Sequence, residues 1–226
     1  MRFLSILAAM AGMVLLAACN APVTKTPLFN AADEAGAPRL RPGVWQLGQE
    51  EGCQLDPSKP FNEWPECAGA GVVSPGQIVG HDAKKPKDEL ETTPFIFAAG
   101  DPRIIQVKFK TEGAVSMDAG DQHSSTPTNE IWLYGYAAGR PTKTDAQGQV
   151  TAVTYWLVLC GPPPPRNRNG ADTAFGTLHP FAGMKMKPGD AACEPQSPAA
   201  LRAAARASER YREHPMEAHW LRDGNR

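Results

Sequence analysis

The pairing signal in this chain lies between residues 95 and 110. Phe95-Ile96-Phe97-Ala98-Ala99 and Ile104 to Phe109 flank Gly100-Asp101-Pro102-Arg103, a turn sequence, so the two runs read as a hairpin. Ile105, Val107 and Phe109 alternate with Gln106, Lys108 and Lys110, which predicts one buried and one wet face. Further strands are expected at 40–47, around Val72-Val73 and Ile78-Val79 on either side of Pro75-Gly76, and at Ile131 to Tyr136. The last of these sets Trp132, Tyr134 and Tyr136 on one face. Asp145-Ala146-Gln147-Gly148 is a turn. Val150 to Cys160 is apolar on both faces and reads as the central strand, with Val150, Trp156 and Val158 on one side and Val153, Tyr155, Leu157 and Leu159 on the other. Short extra strands are expected at 114–117 and 175–178. Pro162 to Pro165 must leave the sheet, because proline donates no ladder hydrogen bond.

The periodicity changes near the C-terminus. Ser197 is an N-cap, Pro198 suits the first helical position, and Pro215 stops the helix expected over about 198–213. Leu201, Ala204, Ala205, Ser208 and Tyr211 form a narrow packing stripe, while Arg202, Arg206 and Arg210 make a solvated one. The fold class expected is mainly β: an antiparallel meander forming a barrel-like or strongly twisted sheet, with one C-terminal helix packed on it.

Composition adds a constraint. The chain has 226 residues, with 21 Gly and 22 Pro. After residue 18, Leu, Ile, Val and Phe make up about 16%, under the ~20% level at which disorder is expected if net charge is also high, yet net charge is only −1. A thin core of this kind needs reinforcement. The same composition excludes a multi-span membrane protein, a coiled coil and a large α/β enzyme, and the charge balance gives no reason to expect a nucleic-acid partner. The segment from residue 201 onward is basic, against an acidic remainder.

The N-terminus carries an address. Arg2 precedes the apolar run Phe3 to Leu16, too short to span a bilayer but suited to a signal peptide over 1–18. It ends in Leu16-Ala17-Ala18-Cys19, which resembles the lipobox of bacterial lipoproteins. The resemblance implies cleavage before Cys19, a diacylated thiol and an acylated amine, palmitate among the acyl groups. The membrane is then a partner through Cys19. Asn20 stands where Asp would imply inner-membrane retention, so the resemblance implies the outer membrane, facing the periplasm. Residues 19–38, without period and rich in Ala and Pro, read as the lipidated Cys and a flexible tether, with Leu28 and Phe29 as docking points. The folded domain is expected over 39–226.

Cys53, Cys67, Cys160 and Cys193 remain. An even number in an exported chain reads as two disulfides, and three pairings exist. The sequential one, Cys53–Cys67 and Cys160–Cys193, closes loops of about 15 and 34 residues that contribute ~3 and ~4 kcal/mol. There is no C-x-x-C and no His at ligand spacing from a Cys, so no metal is expected.

Catalytic chemistry is hard to find. Asp118, Asp121 and His123, followed by Ser124 and Ser125, read as a polar loop, as does His81-Asp82 beside Lys84-Lys85-Pro86-Lys87. His179 reads as a turn residue, and His214 and His219 flank the helix end. Glu50-Glu51 would point to opposite faces of a strand and make no acid/base pair. No nucleophile elbow, zincin helix, phosphate loop or dinucleotide fingerprint occurs. Catalytic residues, cofactors and an enzymatic role are therefore not expected.

Gly43-Val44-Trp45 resembles the G-x-W opening of lipocalin-like barrels, as does the order of last strand then helix. More loosely, Arg41-Pro42-Gly43-Val44-Trp45, Trp64-Pro65-Glu66-Cys67 and the Ala-rich tail ending in Trp220 are similar to uncharacterised Gram-negative lipoproteins. The function expected is a non-enzymatic envelope lipoprotein that binds or scaffolds another envelope component. The alternative is a carrier of a small apolar ligand with a calycin-like cavity. A closed barrel with an apolar pocket favours the carrier, and a filled core with an exposed aromatic patch favours the scaffold.

Overall fold

The structure is a computed structural model that describes residues 20–48, 53–54, 56, 58–81, 90–111, 131–163, 179–186, 192–211 and 216–224. The expected signal peptide with Cys19, the strands expected at 114–117 and 175–178, the Asp118–His123 loop, Glu50-Glu51, Lys84–Lys87, Pro164-Pro165 and His214 lie outside these residues.

Eight strands follow one another as an up-and-down meander. They are β2 (Gly43–Gln46), β3 (Ala70–Ser74), β4 (Gln77–His81), β5 (Leu90–Ala98), β6 (Arg103–Thr111), β7 (Ile131–Thr144), β8 (Val150–Leu157) and β11 (Met216–Arg222). Each is antiparallel to the next, and β11 pairs back on β2 through Trp220↔Trp45, so the sheet closes into a barrel. A ninth strand, β1 (Val23–Thr24), pairs with β7 at Gly135 and Tyr134, beyond the point where β8 leaves it. A small hairpin of β9 (Met184–Met186) and β10 (Cys193–Pro195) stands outside the barrel and precedes α1 (Pro198–Ser208).

Alternation along the strands divides the apolar residues into an inner core and two outer ones. Inside lie Trp45, Leu47, Val73, Ile78, Phe95, Phe97, Val153 and Ala218, with Ile105 and Val107 against them. Over β6–β8, Ile104, Tyr136, Ala138, Trp156 and Val158 form one outer core with Phe29 and with Leu201, Ala204 and Ala205 of α1. Over β2 and β3, the loop closed by the Cys53–Cys67 disulfide tucks Phe61 and Trp64 onto Val44. A thin core thus serves both sides of one sheet, and the second disulfide, Cys160–Cys193, ties the end of β8 to β10.

The helix follows its local signals. Ser197 accepts from the Ala200 N–H, Pro198 occupies the first turn, and Leu201, Ala204, Ala205 and Ser208 are buried. The small alanines let the helix approach closely enough for Trp156 Nε1 to donate to the Ala205 carbonyl at 3.0 Å. Ser208 Oγ donates to Ala204 O and accepts from Leu159 N. Leu201 is fully buried, so Leu201→Ala is expected to cost about 2–5 kcal/mol. The exposed Arg206, whose one contact described is a 3.4 Å bond to the Asp101 carbonyl, should cost less than about 0.5 kcal/mol as alanine. Urea unfolding of the chain from residue 20 measures both, and a larger loss at Arg206 would overturn this account of the helix.

Five expectations need correction. The helix does not end the fold: it passes into a 3₁₀ turn at Glu209–Tyr211, the expected end at 213 lies outside the described residues, and β11 follows. Met216, Ala218 and Trp220 alternate with polar neighbours too briefly to register as a strand, and pairing on both sides, to β8 and β2, makes them one.

Residues 20–38 are part of the domain, not a tether. Pro22, Val23 and Phe29 are buried, Asn30 caps a short 3₁₀ turn, and Phe97 N donates to Glu34 Oε1. Gln106 is consequently buried instead of wet. Its amide accepts from the Leu28 and Phe29 N–H groups and donates to Phe29 O, all at 2.9 Å. Arg202 is half-buried, its guanidinium 4.9 Å above the Phe29 ring, because the same segment lies beneath it. Val150 joins Val153 and Tyr155 in the inner core instead of sharing a face with Trp156. Two register irregularities between β7 and β8, around Lys143, reset the alternation.

Candidate binding surface

Lys110 faces Trp132 and Lys108 faces Tyr134 across the β6–β7 pair. These outward positions lie at the rim where β7 begins. Trp132 is 46% exposed, and with Leu90 at the start of β5 it is one of two exposed large apolar side chains among the described residues. Lys108 Nζ sits 4.6 Å and Lys110 Nζ 5.8 Å from its ring centroid. Such contacts contribute about 0.5–1 kcal/mol at an exposed site, too little to explain keeping an indole in water. The result is a flat apolar face bordered by two ammonium groups, chemistry suited to a partner that carries anionic groups beside apolar surface.

The sequence placed Trp132 on one face with Tyr134 and Tyr136, but not the difference between them. Tyr136 is buried and bonded to Thr24, Tyr134 is half-buried, and Trp132 is exposed. The signal available was the pair Lys108 and Lys110 on the wet face of the neighbouring strand, which becomes informative only once the register is known.

The lumen is occupied by side chains at the levels where the packing is defined. A Cβ at Gly71 would lie 2.9 Å from Ile78 Cγ2, and one at Gly139 would lie 2.9 Å from Val153 Cγ1. Tyr155 reaches across to donate to the Leu47 carbonyl. At the end where β6 starts, Arg103 is buried with its guanidinium 3.7 Å over the Phe97 ring, donating to the carbonyls of Phe97 and Pro38. These polar groups are used in closing the barrel and in holding residues 34–38. No group of three metal-ligating side chains occurs among the described residues.

Burial pushes the hydroxyls of Tyr136 and Tyr155 up to about 12, and burial lowers Arg103 to about 10. The two tyrosines contribute stability that is whole below pH 10, the ordinary value, and is lost as pH rises through about 12. Arg103 acts in the opposite sense over the same interval, one group against two. Net stability should therefore fall from pH 10 upward, and two of the four tyrosines should ionise only as the chain unfolds. Tyrosinate absorbance against pH checks this, and four tyrosines titrating together near 10 in the folded chain would refute it.

Four hydrogen bonds fasten the start of the domain. Cys160 N donates to Asn20 O at 2.8 Å and Cys193 N to Ala21 O at 3.5 Å. Asn20 Nδ2 donates to Gly161 O at 3.1 Å, and Gly161 N to Asn20 Oδ1 at 3.2 Å. Both half-cystines of one disulfide thus hold the residues that follow Cys19. No protein-family model, curated protein or solved structure matches the chain.

Proposed function

We propose that the chain is a non-enzymatic lipoprotein of the outer membrane, anchored by acyl chains on Cys19 and facing the periplasm. Its barrel binds or scaffolds another envelope component. The observation that carries the binding role is the Trp132–Lys108–Lys110 face, an exposed aromatic with two cations on the outside of a barrel whose inner core is packed. The lipobox Leu16-Ala17-Ala18-Cys19 supports the anchor. Mild cross-linking in the native envelope tests the first part. A defined adduct should form with the natural chain and fall at least about tenfold with Trp132→Ala or with Lys108→Glu/Lys110→Glu, the size of change expected of one interface anchor. An adduct unaffected by both variants would reject this face. Cys19→Ser should abolish acyl labelling, and persistent label would reject the anchor.

A carrier of small apolar ligands is the second reading. It is favoured by the closed up-and-down barrel and by the small inward residues Gly80, Gly135 and Ala137 in the half of the barrel nearest the Trp132 rim. Titration with an environment-sensitive apolar dye separates the two readings, since saturable one-to-one binding that survives Trp132→Ala belongs to the carrier.

A further inference from the structure

We infer that the barrel has no tether and is held flush on the membrane in one orientation, the face around Asn20 against the lipid headgroups. The inference rests on the lipid-anchor reading of Cys19. Asn20 is hydrogen-bonded through both its backbone and its side chain to residues 160 and 161, and Ala21 and Pro22 behind it are buried. Only the Cys19 residue then separates the latch from the acyl chains, a Cα step of about 3.8 Å. A flexible linker of 20 residues would instead give a reach of about 25 Å and free rotation.

The surface around the latch fits that position. Three backbone segments meet there: residues 20–24, the run 159–163 that follows β8, and 180–184, joined through Phe181 N to Cys160 O at 2.8 Å. The disulfide brings in 192–193. Within these limits the segments contain no Asp, Glu, Lys or Arg, and the exposed Lys25, Lys185 and Glu194 stand immediately beyond them. Pro163, Pro180 and Ala182 are exposed, and Pro162 and Phe181 are half-buried. Placing these segments against headgroups desolvates no ion of their own, and the flanking charges can stay at the headgroup–water boundary. The Cys160–Cys193 bond joins two of the latching segments, so the leash starts from a covalently tied part of the barrel's exterior.

The test uses the full chain, acylated in cells and reconstituted in phosphatidylethanolamine/phosphatidylglycerol vesicles. Mass analysis of the N-terminal peptide first reads the acyl chains on Cys19. A fluorophore is then placed, through a non-natural amino acid that spares the disulfides, at Ala182 beside the latch or at Asn62. Asn62 is exposed on the disulfide loop over β3, half-way round the barrel from β7. A quencher carried on lipid headgroups should quench position 182 at least fivefold more than position 62. Inserting about 15 Gly/Ser residues between Cys19 and Asn20 should bring the two within about twofold, as expected for a coil-like linker. Equal quenching in the natural chain with Cys19 acylated overturns the flush orientation and leaves the anchor standing. Absence of acyl chains on Cys19 overturns the anchor reading and this inference with it.

Discussion

Gly43→Ala is expected to destabilise the barrel by about 4 kcal/mol or more, because it strikes the seam where the sheet closes. Gly43 has φ +130°, a conformation that side chains rarely adopt and that costs about 1–3 kcal/mol by itself. An added Cβ would also lie 2.3 Å from the Arg222 carbonyl oxygen and 2.8 Å from Trp220 Nε1. The carbonyl is backbone and cannot yield without parting β11 from β2. The seam has few substitutes: Trp220 Nε1 donates to Pro42 O at 3.1 Å, Trp45 Nε1 to Arg41 O at 2.8 Å, and the Arg41 guanidinium stacks 3.8 Å over Trp220. Gly76→Ala is the control. Gly76 also has positive φ, but a Cβ there would meet nothing within 4 Å. It should cost only the backbone term, about 1–2 kcal/mol. Urea unfolding followed by tryptophan emission compares the two, and equal losses would show that the seam tolerates the extra atom.

Removing the second disulfide should cost about 4 kcal/mol in Cys160→Ala/Cys193→Ala, against about 3 for Cys53→Ala/Cys67→Ala, since the bonded positions are 33 and 14 residues apart. The two losses should also differ in place. Cys160 and Cys193 each donate a backbone N–H to the Asn20–Ala21 segment, so opening this bond loosens the segments that hold the start of the domain. Amide exchange at residues 20–24 should then accelerate well beyond that of β6, while the Cys53/Cys67 variant should leave those amides protected. Residues 20–24 exchanging no faster after loss of Cys160–Cys193 would mean that the hydrogen bonds alone hold the N-terminal segment.

Features that depend on near neighbours were legible in the amino-acid sequence. The hairpin around Gly100-Asp101-Pro102, the Ser197-Pro198 helix start and the Leu201–Ala204–Ala205 stripe were legible because turn and cap residues and the periods of two and 3.6 act within a few residues. The disulfide pairing was legible because each cysteine pair brackets a proline-rich excursion. Tertiary structure decided the rest. Closure needed β11, whose seven residues become a strand only between β8 and β2. Gln106 looked like a solvent-facing position until residues 28 and 29 supplied backbone partners from 77 residues away. The candidate surface was legible as residue types but not as a site. Lys108, Lys110 and Trp132 share a face only through the β6–β7 register, and Trp132 stays exposed where its strand neighbours Tyr134 and Tyr136 are covered. Alternation states that a side chain points to one side of a sheet; what covers that side is set by chain segments far away in sequence, and their packing free energy is not written in the local pattern.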